Sequence, residues 1–180
     1  MTLSNSMNKN RLGFLTIVSD PAEARIGGLL LVNASGRPLE FHCTAPVKPN
    51  RAQEILYGPT LGDYLCGEQI GMALCDALKH PPSLMLTDIS EVLSLRPLVD
   101  FPVVLVIRGD DHSAKLADEL IRVDRGTSAF AVHRQQEEDL RTAEAILQAT
   151  APSLDLGEPF GRIHEAISEA QGGIRKQNVA

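Results

Sequence analysis

The chain has 180 residues, which suits a single domain of ordinary size with a buried core. Hydrophobic residues make up 43% of it and charged residues 22%, and this balance excludes an intrinsically disordered chain. The net charge of −6, the lack of a long Lys/Arg run and the 4% share of aromatic residues argue against a protein that binds nucleic acid or an anionic membrane.

The ends of the chain and its cysteines predict its compartment and its domain boundaries. No apolar run reaches about 18 residues, the length that a membrane-spanning helix needs. The first residues, MTLSNSMNKNR, are polar and lack the apolar part of a secretory signal. Three cysteines without framework spacing indicate reduced thiols, so we expect a cytoplasmic protein. One globular domain is expected over residues 11–173, between flexible tails at 1–10 and 174–180.

The first three predicted elements are strands. Residues 12–20 form an apolar run that ends before a proline, and 26–33 contain the unbroken run LLLV. An all-apolar strand is typical of the centre of a sheet that is covered on both faces. Gly36 in NASGRP supplies the turn to a third strand over 38–44, so we predict an N-terminal hairpin.

Two helices follow this hairpin in the prediction. Asn50 and Gln53 have the spacing of an N-cap with its reciprocal partner, which predicts a short helix. A longer helix is predicted over about 61–79. Its glycines Gly67 and Gly71 lie four residues apart, and we interpret them as a smooth strip against which another backbone packs closely.

The second half of the chain begins with a strand–helix–strand pattern over 83–110, which predicts a parallel pair of strands. Further elements are predicted as a helix over 112–122, a strand over 128–133 and helices over 135–149 and 159–171. The predicted fold class is therefore α/β (mixed α+β). It consists of a single-layer mixed sheet of about five or six strands flanked by helices, with an N-terminal hairpin followed by a βαβ-like unit.

Several familiar site patterns are absent from the sequence. The glycines of 27–36 lead into strands, whereas a phosphate-binding glycine loop has to open a helix. Cys66, Cys75 and His80 lack the short, converging spacing of a zinc site. His42 and Cys43 are adjacent in a predicted strand, so their side chains point to opposite faces and cannot form one site. We expect Cys43 to pack as a small apolar residue.

The best chemical candidates follow the two strands of the βαβ-like unit. Asp88 follows the first strand, and Arg108, Asp110, Asp111 and His112 end or follow the second. Ligands gather at the carboxyl ends of parallel strands in open α/β sheets. Carboxylates there suit Mg²⁺, the arginine fork suits a phosphate or carboxylate, and the histidine suits acid–base work.

Each of these residues also has a purely structural interpretation. Asp88 is explained as the N-cap of the following helix, and residues 109–110 as a turn. Asp111 is explained as a favourable charge at a helix start. These roles require no ligand.

The leading functional hypothesis is a non-catalytic cytoplasmic interaction protein (a scaffold, adaptor or regulatory subunit), with a protein partner or a homodimer and without nucleic acid or membrane. No cofactor is expected under it. The alternative is a small Mg²⁺-dependent enzyme or ligand-binding domain that acts on a phosphorylated or anionic small molecule at the strand ends near Asp88 and Asp110. A third hypothesis uses Cys43, Cys66 or Cys75 as a redox thiol, which requires an exposed cysteine with a lowered pKa.

Overall fold

A seven-stranded mixed sheet forms the centre of the molecule, with strand order β3-β2-β1-β4-β5-β7-β6. The computed structural model describes residues 10–109, 118–149 and 154–177. The strands are β1 Leu12–Ser19, β2 Arg25–Val32, β3 Pro38–Cys43, β4 Leu84–Thr87, β5 Val103–Arg108, β6 Leu120–Arg125 and β7 Ser128–His133. The α/β class, the N-terminal hairpin and the single mixed sheet are confirmed.

Three neighbouring strands in this sheet run parallel. Strand β1 pairs with β4, and β4 pairs with β5, in a register that aligns Leu15, Thr87 and Leu105. The pairs β1–β2, β2–β3, β5–β7 and β6–β7 are antiparallel. The parallel pair predicted for the βαβ-like unit is confirmed as β4 and β5. The carboxyl ends of β1, β4 and β5 therefore lie at the same edge of the sheet.

Helices cover both faces of the sheet. The α-helices are α1 Arg51–Tyr57, α2 Leu61–Asp63, α3 Met72–Ala77, α4 Glu137–Gln148 and α5 Glu158–Gln177. A π-helical stretch, Tyr64–Gly71, joins α2 to α3, and a 3₁₀ segment, Ser90–Leu98, connects β4 to β5. No helix within the described ranges is long and apolar enough to cross a bilayer.

The core has two layers, one on each face of the sheet, because strand side chains alternate between faces. Phe14, Leu86 and Val106 point to the face covered by α4 and α5. Leu15 and Leu105 point to the opposite face, which the π-helical stretch and the 3₁₀ segment cover. The all-apolar β2 is buried on both faces, as its sequence predicts.

The prediction of a helix over 112–122 is wrong for its described part. Residues 110–117 lie outside the described residues, and β6 begins at Leu120. The alternating apolar residues Ile121 and Val123 pair with Val132 and Phe130 of β7. Because β-branched residues pack well on a pleated surface, this segment adds a seventh strand to the sheet.

The third strand differs from expectation in its exposure. Leu39 and Phe41 are 48% and 39% exposed, and Cys43 is exposed as well. The reason is its place at the edge of the sheet, since α5 packs on β1 and β2. Cys43 therefore does not pack as a buried apolar residue.

Two local predictions for the helices are confirmed. Asn50 accepts a hydrogen bond from the backbone of Gln53, and the Gln53 side chain accepts one from Asn50 N. Gly67 lies against the 3₁₀ segment, where an added Cβ would come within 1.9 Å of Ser94 Oγ and 2.9 Å of Leu95 N. The glycine strip thus lets two backbone segments of the same chain approach closely.

Candidate functional site

A group of polar side chains lies at the carboxyl edge of the three parallel strands. Thr16 and Asp88 each come one residue after the aligned pair Leu15 and Thr87. Because side chains alternate along a strand, Thr16, Asp88 and Arg108 share the face of the sheet that α5 covers. We refer to these three residues, together with His164 of α5, as the edge site.

Asp88 and Arg108 lie together, as expected for neighbouring parallel strands. Asp88 Oδ2 is 3.7 Å from Arg108 Nη2, with 15% of the Asp88 side chain and 49% of the Arg108 side chain exposed. Asp88 Oδ1 is buried and has no hydrogen-bond partner among the described residues. A buried carboxylate oxygen without a hydrogen-bond donor raises the free energy of the folded state. Asp88 Oδ1 is therefore a candidate ligand atom for a cation.

The interpretation of Asp88 as an N-cap is wrong. The 3₁₀ segment after β4 has Ile89 at its N-cap position, and no side-chain hydrogen bond caps it within the described part of the chain. Asp88 Oδ1 therefore does not bind the amides at the start of this segment. This removes the structural role that the sequence offered for the residue.

The start of α5 holds the Arg108 guanidinium in place. Arg108 Nη1 donates a hydrogen bond to the carbonyl of Gly157 at 3.1 Å, and the guanidinium lies 5.7 Å from the centre of the Phe160 ring. A cavity of about 440 Å³ opens beside it. The residues that line this cavity are Arg108, Asp155, Gly157, Glu158, Gly161, Arg162 and Glu165.

The fourth member of the edge site was missed from the sequence. His164 Nε2 lies 3.3 Å from the hydroxyl of Thr16, although the two residues are 148 positions apart. Thr16 is fully buried, whereas His164 is exposed. The signal that could have found them is a polar residue inside the apolar run of β1 and a histidine one position after the apolar Ile163 of α5.

Three predicted site residues, Asp110, Asp111 and His112, lie outside the described residues. Their role stays a prediction that follows from their place directly after β5. Within the described ranges, no group of three or more His, Cys, Asp or Glu side chains is arranged to hold a metal ion. Among the described residues of the edge site, the candidate ligand atom is therefore Asp88 Oδ1.

Two of the cysteines do not fit the redox hypothesis. Burial raises the pKa of the Cys66 thiol, although Arg25 Nη1 donates a hydrogen bond to its sulfur at 2.9 Å. Burial also raises the pKa of Cys75 to about 12. A raised pKa removes the reactive thiolate, and the exposed Cys43 is the remaining candidate within the described residues.

A second polar cluster joins β3 to the segment after α3. Glu40 accepts hydrogen bonds from the Lys79 backbone N–H and pairs with His42 and His80, at 3.2 Å and 3.1 Å. The backbone hydrogen bond from Lys79 is the main cause that lowers the Glu40 pKa to about 2. His42 therefore has a structural partner in Glu40.

The comparisons with known proteins give a fold and no sequence family. No protein-family model and no curated protein match the chain. Two crystal structures of Ciona intestinalis Endonuclease V, in complex with a 23mer and a 24mer DNA containing an inosine followed by a ribo-adenosine, are similar to it in structure. Each has a TM-score of 0.51 at 10% sequence identity, over 92% of this chain and 86% and 87% of the Endonuclease V chains. Marinitoga piezophila Argonaute in complex with a 5' OH guide RNA matches 82% of this chain and 26% of its own, with a TM-score of 0.41 at 14% identity.

This likeness corrects two expectations. A non-catalytic scaffold, adaptor or regulatory subunit is contradicted, and so is a partner set of proteins or a homodimer without nucleic acid, because the similar structures are of an endonuclease bound to DNA. The net charge is a property of the whole chain, so it does not by itself exclude local contacts between a few arginines and phosphates. The chain has an RNase H-like α/β fold, similar to that of Endonuclease V.

Proposed function

We propose that this domain acts on the phosphodiester backbone of nucleic acid at the edge site, as a Mg²⁺-dependent nuclease-like domain. The observation that carries the proposal is the pairing of Asp88, with its unpartnered buried oxygen, and the half-exposed Arg108 on neighbouring strands. One of these side chains suits a divalent cation and the other suits a phosphate. The fold supports nucleic acid over a small anionic molecule as the substrate.

Arg108 is the phosphate-binding residue in this proposal. Its Nη1 donates to the Gly157 carbonyl and its guanidinium lies over the Phe160 ring, so the arginine is held at the edge of the cavity before a ligand arrives. The Arg108 side chain is half exposed and lines the cavity that α5 borders. Charge-assisted hydrogen bonds from this fork to phosphate oxygens would position the strand at the sheet edge.

Asp88 is the residue that would hold Mg²⁺, through Oδ1. This ion is commonly bound by one or two protein carboxylates together with phosphate oxygens of the substrate, which fits a site with one described carboxylate. Bound Mg²⁺ supplies Lewis acidity at a phosphate oxygen and lowers the pKa of a coordinated water. Asp110 and Asp111 are the next carboxylates in the sequence after β5, and we propose that one of them is a further ligand and that His112 serves as acid or base.

An exposed apolar segment at α1 is suited to contact bases. Leu56 and Ile55 of α1 are 82% and 65% exposed, and the rings of Tyr57 and Tyr64 stack at 4.0 Å. This segment continues into α2, where Gly62 lies against the side chain of Glu91, three residues after Asp88. Exposed apolar side chains and aromatic rings are suited to stack on bases or to part neighbouring ones.

The proposal is tested by binding and cleavage assays on labelled single-stranded and duplex DNA and RNA, with and without Mg²⁺. We expect Asp88→Asn to lower Mg²⁺-dependent cleavage by about a hundredfold or more and to leave binding without Mg²⁺ intact, because removal of an electrostatic catalytic group costs that much. Arg108→Gln is expected to weaken binding and to reduce the salt slope by about one.

The matched control is Asp76→Asn, which makes the same chemical change on α3, at the opposite face of the sheet. It is expected to bind and cleave like the wild type. If the wild type neither binds nor cleaves any of these nucleic acids at low salt, the proposed function is wrong. We place the protein in the cytoplasm within the same proposal, because its three cysteines are unpaired.

A further inference from the structure

We infer that Arg108 is a latch over Asp88, which closes the carboxylate to divalent cations until the phosphate of a bound nucleic acid draws the guanidinium away. The inference rests on the proposed function, because it assigns the order in which that site takes its two ligands. Nucleic acid binds first and the cation second.

The latch is built from three contacts to different parts of the fold. Arg108 Nη2 lies 3.7 Å from Asp88 Oδ2, Nη1 donates to the Gly157 carbonyl at 3.1 Å, and Phe160 lies beneath the guanidinium. These contacts place a fixed positive charge beside the carboxylate. A divalent cation at Asp88 would be repelled by this charge and would compete with it for the same carboxylate.

The strength of these contacts suits a latch that opens. The distance of 3.7 Å between Asp88 and Arg108 is an ion pair without a short hydrogen bond, and half of the Arg108 side chain is exposed. Such a pair is weakly held in water. A phosphate accepts two parallel N–H bonds from one guanidinium, so it competes well for Arg108. Movement of Arg108 toward the phosphate leaves Asp88 with both oxygens available.

Gly157 provides a way to displace the latch without removing its charge. A Cβ added to Gly157 would lie 2.6 Å from Arg108 Cδ and 3.0 Å from Nη1. Glycine at this position therefore allows the arginine to lie flat against the start of α5. In Gly157→Ala the arginine arm has to shift, whereas Arg108→Gln removes the positive charge itself.

The experiment measures Mn²⁺ binding by isothermal titration calorimetry in the absence of nucleic acid. We expect Arg108→Gln and Gly157→Ala to bind Mn²⁺ about three- to tenfold more tightly than the wild type, as expected for removal of a partly exposed ion pair. Asp88→Asn in either background should abolish the gain. The two variants change different parts of the fold. If circular dichroism shows that one of them is unfolded, the other still tests the latch.

The matched control is Arg162→Gln. Arg162 lines the same cavity, but its guanidinium donates to the Gly36 carbonyl and to Glu158. This variant removes one positive charge nearby without touching Asp88, and its Mn²⁺ affinity should stay within about twofold of the wild type. If Arg162→Gln raises the Mn²⁺ affinity as much as Arg108→Gln does, the cause is a general effect of charge, and the latch is overturned.

The latch and the proposed function fail in different ways. Unchanged Mn²⁺ affinity in both Arg108→Gln and Gly157→Ala would overturn the latch, even if the wild type binds nucleic acid. Tighter Mn²⁺ binding in both variants, with no nucleic-acid binding by any protein, would overturn the proposed function and support the closure of Asp88 by Arg108. Because binding free energies are coupled reciprocally, Ca²⁺ should tighten the binding of an oligonucleotide to the wild type, and the oligonucleotide should tighten the binding of Ca²⁺. If the affinity for each ligand is the same with and without the other, phosphate binding does not release Arg108 from Asp88.

Discussion

The hydroxyl of Thr16 in β1 lies 3.3 Å from Nε2 of His164 in α5. This contact connects the centre of a buried strand to an exposed helix side chain at the carboxyl edge of the parallel strands. It sits beside Phe14 and Phe160, whose rings pack edge to face at 5.5 Å. The helix that holds Arg108 through Gly157 is thus anchored to the sheet by a polar contact and an aromatic one.

The Thr16–His164 contact is expected to stabilise the fold. His164→Ala leaves a buried hydroxyl without its partner, which should lower the free energy of unfolding by about 1–2 kcal/mol. Thr16→Val replaces the hydroxyl with a methyl group of similar shape and should cost less. In a double-mutant cycle measured by urea unfolding, we expect a coupling of about 1 kcal/mol, and strictly additive effects would contradict the contact.

The pair of Arg96 and Asp139 is expected to contribute more than any surface pair. Asp139 is 6% exposed and accepts hydrogen bonds from both Nε and Nη2 of Arg96, which joins the 3₁₀ segment to α4. Asp139→Ala leaves the arginine partly buried without its partner, so the free energy of unfolding should fall by about 3 kcal/mol. Asp124→Asn, at a 69% exposed side chain, is the control and should change it by less than about 0.5 kcal/mol.

Glu40 is expected to make the stability of the fold depend on acidic pH. The hydrogen bond from the Lys79 backbone lowers its pKa from 4.5 to about 2 in the folded state. A carboxyl with a lowered folded-state pKa contributes stability that is fully present above 4.5 and is lost as the pH falls toward 2. Glu40→Gln should therefore flatten the fall in unfolding free energy over that range, measured by chemical denaturation at successive pH values. An unchanged slope would show that Glu40 does not titrate in the folded state as described.

The apolar residues of α1 are expected to contribute to nucleic-acid binding and little to stability. Leu56 is 82% exposed, so Leu56→Ser should leave the melting temperature nearly unchanged. It should weaken the binding of a single-stranded oligonucleotide by about three- to tenfold if the side chain contacts bases. Leu98→Ser is the control, since Leu98 is also exposed but lies at the end of the 3₁₀ segment. Equal effects of the two changes on affinity would exclude α1 from the interface.

Most of the sheet could be predicted from local patterns. The apolar runs of β1, β2 and β5 and the turn at Gly36 are signals within a few residues, and each predicts its element. Residues 120–122 are predicted as the end of a helix over 112–122 because Ala114, Ala117 and Ile121 have helical spacing, but the pairing of 120–125 with β7 decides their conformation. The net charge could not exclude nucleic acid for a similar reason, since a sum over the chain does not locate Arg108.

What the sequence by itself determined is most of the strands and helices, together with the two residues Asp88 and Arg108 at the ends of neighbouring strands. What the tertiary structure alone decided is which side chains complete the edge site. The parallel register aligns Thr16 with Asp88, and α5 returns from the far end of the chain to bring Gly157 and His164 to the same edge. Such contacts depend on strand order and helix packing, which follow from burial over the whole domain and leave no mark in any short stretch of residues.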